Sequence, residues 1–320
     1  MKYIGKMGLT AAFCTAVALP ASAQDTVVIG EPAWPAARVI AQVIKTVIEE
    51  EIGGSADIVP GKNPVIFKAM DRGKGDIDVH PDVWLPNQGS LTAEYVDAKG
   101  TVALSESTYK GMTGMCIPGY MAEMGITSIQ DLATPDGAAL FDSNGDGKGE
   151  IWIGAAAWAG AKTWTVKLRD YGVSDFFELT SEDEAVALAN VGNRIRAKQG
   201  VVFSCYKPHY VFKLHDLALL EEPAYDPELY NMVQPNEDPD WLENSSVATA
   251  DPAKTVHVAY SRSLEERAPE AARLLANIAL DNQTVSAWTH EVVVNEMDPA
   301  EVASNWVAGN KDRVQGWLGY

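Results

Sequence analysis

The chain has 320 residues and a formal net charge of −19, with 44 acidic against 25 basic side chains. That acidity argues against nucleic acid and anionic membranes as partners, since both reward basic patches. The length predicts two domains rather than one large core.

The chain opens MKYIGKMGLTAAFCTAVALPASA. Lys2 and Lys6 precede an apolar run from Met7 to Leu19, and Ala21-Ser22-Ala23 supplies small residues for cleavage. This is the pattern of a signal peptide over residues 1–23, so export is expected. Cys14 lacks the small-residue box of a lipoprotein. Cys116 and Cys205 fit either one disulfide or two buried thiols, and no CxxC or Cys/His cluster suggests zinc.

Val27–Ile29 predicts a buried strand, and Pro35 opens a helix whose apolar residues, Val39, Ile40, Val43, Ile44, Val47 and Ile48, recur at helical spacing. Trp34 falls in the loop between them, at the carboxyl end of the strand, where open α/β sheets bind ligands. ADIVPG reads as a second strand and Pro64–Arg72 as a short helix. GDIDVHPDVW reads as a strand running into a loop at Trp84, and Thr101–Leu104 as another strand. Gly111 and Gly114 are expected to loosen the next segment. Ser181 and Glu184 form a capping box for the helix that follows, and Val201–Ser204 predicts a strand before an aromatic loop at Tyr206. Strands thus alternate with helices, the pattern of mainly parallel α/β sheets. Discontinuities near Lys110 and Leu214–Pro223 make the middle third one lobe and both chain ends the other.

Trp34, Trp84, Trp158 and Tyr206 all follow predicted strands. Their faces would converge on one crevice and suit a quaternary ammonium, which is drawn to ring quadrupoles and has no N–H to satisfy. Trp152, Trp288, Trp306 and Trp317 read as core; Trp164 and Trp241 are unassigned. FDSNGDGKGE places Asp142, Asn144, Asp146, the Lys148 carbonyl and Glu150 at spacings of a calcium loop, although Ile153 stands where an EF-hand has its bidentate glutamate. A structural Ca²⁺ is expected there, with a solvated turn as the alternative. Catalytic motifs are thin: the five histidines are scattered, and an enzyme would have to build on His209 beside Cys205 and Tyr206. No enzymatic function is expected.

GDIDVHPDVWLPNQ, YKGMTGMCIPGYMAEMGITSIQDLA, CYKPHYVF and NWVAGNKDRVQGWL resemble the substrate-binding proteins of glycine betaine/proline/choline ABC importers. The resemblance implies a two-lobed periplasmic binding protein of type II, each lobe a mostly parallel sheet flanked by helices. Lobe I would comprise residues 24–110 and 215–320, and lobe II residues 111–214. It further implies a monomer in the periplasm that hands a small methylated amine to an ABC permease. The family's aromatic box falls on Trp84, Trp158 and Tyr206, the last where relatives often have Trp; Trp34 is the fourth wall by its strand-end position. GAAAWAG offers few side-chain donors for a ligand carboxylate. Glu31, three residues before Trp34, is expected to face the site and to oppose such a carboxylate. Together these favour trimethylamine N-oxide over glycine betaine, with glycine betaine or choline as the alternative.

Overall fold

The computed structural model describes residue 1 and residues 25–107, 109–235 and 237–319. The expected signal peptide and Cys14 lie outside these residues. The strands are β1 (Val27–Glu31), β2 (Ala56–Pro60), β3 (Val79–Leu85), β4 (Val102–Leu104), β5 (Tyr109–Pro118) and β6 (Gly149–Trp152). They continue with β7 (Phe177–Thr180), β8 (Val202–Lys207), β9 (Leu217–Leu219), β10 (Tyr230–Asn231), β11 (Ser246–Val247) and β12 (Lys254–Ser261).

One curled sheet runs in the order β2-β1-β3-β12-β5-β8-β6-β7, with β4 beside β12 and β9 beside β5. Its two ends are parallel: β1 pairs with β2 and β3, and β6 with β7 and β8. Between them β12 and β5 run antiparallel to their neighbours. Strand β5 is shared. Tyr109–Gly111 pairs with β12, and Met112–Cys116 with β8, so the chain passes from the first lobe to the second within one strand.

The helix Pro35–Val47 begins with Pro at its first turn, where a missing N–H is harmless. Its apolar stripe is buried against β1 and the C-terminal helices. Trp288 and Trp317 are buried in that same core and Trp306 packs against it, as their helical spacing predicts. In the second lobe the helix Ala159–Asp170 buries Ala161, Trp164 and Leu168 against β6 and β8.

Three local expectations change. Trp84 and Tyr206 lie within β3 and β8 rather than in following loops, because cross-strand pairing (Val256 with Trp84, Thr113 with Tyr206) extends both strands. The return to the first lobe comes at Asp251–Lys254, not near residue 215. Strand β9 still pairs with β5, Arg169 donates to the Leu242 and Ser245 carbonyls, and Val247 N–H donates to Asp170, all within the second lobe. Finally, Ser181 Oγ donates to the Gly154 carbonyl and does not cap the helix Glu184–Arg196. Cys116 and Cys205 form a disulfide between adjacent β5 and β8, with Cα atoms 5.8 Å apart.

Candidate functional site

The pocket lies where the two lobes face each other. Trp34, from the loop after β1, and Trp84, near the end of β3, come from the first lobe; Trp158 and Tyr206 come from the second. Trp158 stands at the cap position of helix Ala159–Asp170, and Gly154, at φ 108°, turns the chain beside its ring. That backbone conformation is open to glycine and strained for other residues.

The four rings meet edge to face. Trp34 and Trp158 centroids are 6.3 Å apart at 85°, Trp84 and Tyr206 5.6 Å at 85°, and Trp158 and Tyr206 5.9 Å at 83°. Trp152 backs Trp158 at 5.7 Å. The structure therefore brings together all four aromatic residues singled out in the sequence. Trp164, unassigned there, also lines the pocket and carries the Lys167 ammonium 4.5 Å from its ring.

Glu31 is not at the pocket. It ends β1 with its carboxylate 3.9 Å from Arg38, one turn into the next helix, and burial raises its pKa despite that partner. Instead, two buried carboxylates stand behind the rings. Asp82 Oδ2 accepts the indole N–H of Trp34 at 2.5 Å and of Trp84 at 3.0 Å, while Oδ1 accepts the Tyr109 hydroxyl. Burial raises the Asp82 pKa, and its three donors pull it down. Glu184 Oε1 accepts the Tyr206 hydroxyl at 2.8 Å and lies 3.1 Å from His209 Nε2. Burial, then the Glu184 charge, drives the Tyr206 pKa well above its usual value, so the ring is a neutral phenol. Sequence reasoning missed Asp82, Tyr109 and His209 as a supporting layer, and gave Glu184 to a helix cap. The one local signal was Asp82, two residues before Trp84 in the same strand.

The remaining polar lining comprises Asn63, Asn87, Gln88, Thr113, Ser204 and Asp251. Asp251 sits at the second passage between lobes. Its carboxylate faces Lys167 at 3.3 Å and Lys254 at 2.7 Å and accepts the Thr113 hydroxyl at 2.8 Å. Burial alone would raise its pKa, but the two ammonium groups prevail and hold it at about 2. Lys254 also donates to Asn87 Oδ1 at 2.6 Å, which ties the passage to the first lobe.

The calcium-like loop closes on itself. Asp142 accepts the Gly145 and Gly147 N–H groups, Asn144 that of Asp146, Asp146 that of Lys148, and Glu150 that of Ser143. Glu150 also faces Arg194 at 3.9 Å. Among the described residues no three His, Cys, Asp or Glu side chains gather as a metal-holding group. As arranged, the segment is a turn held by its own N–H groups that leads into β6.

Residues 25–309 match the family described as the substrate binding domain of ABC-type glycine betaine transport systems. The chain is 22% identical over 200 residues to the glycine betaine-binding periplasmic protein OusX of Dickeya dadantii, covering 60% of this chain and 59% of that protein. The same identity and coverage relate it to the glycine betaine/proline betaine-binding periplasmic protein of Escherichia coli. The chain thus matches about 59% of the length of these curated relatives. Its fold is that of a choline-binding ABC-transporter protein solved with choline (TM-score 0.71, 18% identity, 92% of this chain and 91% of that one). It is equally that of lactococcal OpuAC solved with glycine betaine (TM-score 0.69, 20% identity, 92% and 99% covered).

Proposed function

Because the chain belongs to the family of substrate-binding domains of ABC-type glycine betaine transport systems, we propose that it captures a small trimethylammonium compound between its lobes and presents it to an ABC permease. The family is one of binding proteins, not of enzymes. The observation that carries the ligand class is the four-ring pocket of Trp34, Trp84, Trp158 and Tyr206, built from both lobes. Each ring contributes about 0.5–2 kcal/mol to a desolvated cation, so four suffice for a small ligand held chiefly by its head.

Capture follows from the construction. Two rings ride on each lobe, so the cage is complete only when the lobes meet. The lobes are joined by the passages at Gly111–Met112 and Asp251–Lys254, the natural places for a hinge. Export to the periplasm is part of this reading: the relatives carry that location in their names, and among the described residues no helix is long and apolar enough to cross a membrane.

The rings read the trimethyl head and leave the tail open. The preference for trimethylamine N-oxide rested partly on Glu31, which pairs with Arg38 away from the pocket. Glycine betaine and choline satisfy the same rings. Titration calorimetry over trimethylamine N-oxide, glycine betaine, choline and carnitine tests the reading. Saturable one-to-one binding of at least one is expected; no binding by any would remove it.

A further inference from the structure

We propose that Asp82 and Glu184, one in each lobe, are specificity residues that make the pocket select positive charge and not merely trimethyl shape. The inference rests on the cation-binding reading above. Neither carboxylate lines the pocket, so neither grips the ligand; both act through the rings.

The geometry is directional. An indole N–H is a donor only and forms part of the positive rim of the ring, whose face is negative. Trp34 and Trp84 both turn that rim to one oxygen of Asp82, and Tyr206 turns its hydroxyl to Glu184. An anion at the rim pushes electron density toward the face that a ligand would touch. The charge itself is also unbalanced. Asp82 is fully buried; among the described residues it forms no ion pair, and Glu184 pairs only with His209, which is charged only when protonated. A buried anion without a counter-ion is costly. A ligand cation between the rings supplies the missing charge, and the attraction strengthens as the ligand is desolvated.

Charge and shape separate experimentally with pairs of ligands in which carbon replaces nitrogen: choline with 3,3-dimethylbutan-1-ol, glycine betaine with 3,3-dimethylbutanoate, and trimethylamine N-oxide with tert-butanol. The pair whose cationic member binds the wild type is titrated against Asp82→Asn and Glu184→Gln, using calorimetry for the cation and ligand-observed NMR for the weaker isostere. Both variants keep an oxygen to accept the ring donors. Asp82→Asn is expected to weaken the cationic member by about tenfold or more while leaving its isostere within about twofold, and Glu184→Gln to act in the same direction. Equal losses for both members, or an unchanged cation affinity, would show that the carboxylates only hold the rings in place and would overturn the proposal. If no cationic member binds the wild type, the cation-binding reading itself fails, and this inference falls with it.

Discussion

Gly111 lies directly under the ring of Trp84. A Cβ built on Gly111 would stand 2.5 Å from Cζ3 and 2.9 Å from Cε3 of that ring, and 3.3 Å from Lys254 Cβ. The glycine that the sequence suggests as a loosened link is therefore a strand residue. It makes room for a cage wall at the point where the chain changes lobes.

Gly111→Ala should push Trp84 toward the pocket, because the added Cβ overlaps the ring and overpacking of this kind costs about 1–3 kcal/mol. The expected result is a folded protein whose affinity for the trimethylammonium ligand falls by about tenfold. Wild-type affinity in calorimetry would show that the Trp84 position is not critical.

Trp158 and Trp84 should respond differently to alanine. Trp158 is half-buried at a helix cap, whereas Trp84 is 7% exposed and part of the core of the first lobe. Trp158→Ala should remove binding with little change in Tm. Trp84→Ala should remove binding and also about 3–5 kcal/mol of stability. Urea unfolding beside ligand titration separates the two; a Trp158→Ala protein that binds like the wild type would contradict the cage.

His80 makes stability pH-dependent. Its Nδ1 accepts the Asp82 N–H at 3.2 Å while Nε2 faces Asn63 Oδ1 at 3.0 Å, an arrangement for the neutral ring. Burial lowers its pKa from the ordinary 6.5 to about 3. The unfolded chain therefore binds the extra proton first as the medium acidifies. The His80 contribution is fully present above pH 6.5 and is lost progressively toward pH 3, at up to about 1.4 kcal/mol per pH unit. The raised pKa of Asp82 has the opposite sign, so the comparison of wild type with His80→Asn isolates the histidine. The variant's stability should fall less steeply over that window, and parallel curves would refute the assignment.

The Cys116–Cys205 disulfide closes a separation of 89 residues within the second lobe. Replacing both cysteines by serine should cost about 2–4 kcal/mol, read as a lower Tm, while ligand affinity stays near wild type because neither residue lines the pocket. An unchanged Tm would mean the bridge adds nothing to stability.

The aromatic walls were legible because each sits at a strand end among Gly, Pro or Ala, where a large ring has no helical face to join. The layer behind them was not. Asp82 reaches Trp34 across 48 residues and Tyr109 across 27, and Glu184 reaches Tyr206 across 22; such pairings depend on which strands adjoin. Local pattern also misled. Ser181-x-x-Glu184 has the spacing of a capping box, yet burial against Tyr206 and His209 claims the glutamate. Glu31 precedes Trp34 by three residues, yet Arg38 draws it away. The lobe boundary near residue 215 failed for the same reason: the pairing of β9 with β5 leaves no mark in spacing.

The most direct test is a crystal structure of the protein with the tightest-binding trimethylammonium compound. The account predicts the three methyl groups enclosed by Trp34, Trp84, Trp158 and Tyr206, with both lobes in contact with the ligand. A ligand bound elsewhere, or one whose head faces solvent while its tail enters the cage, would contradict it.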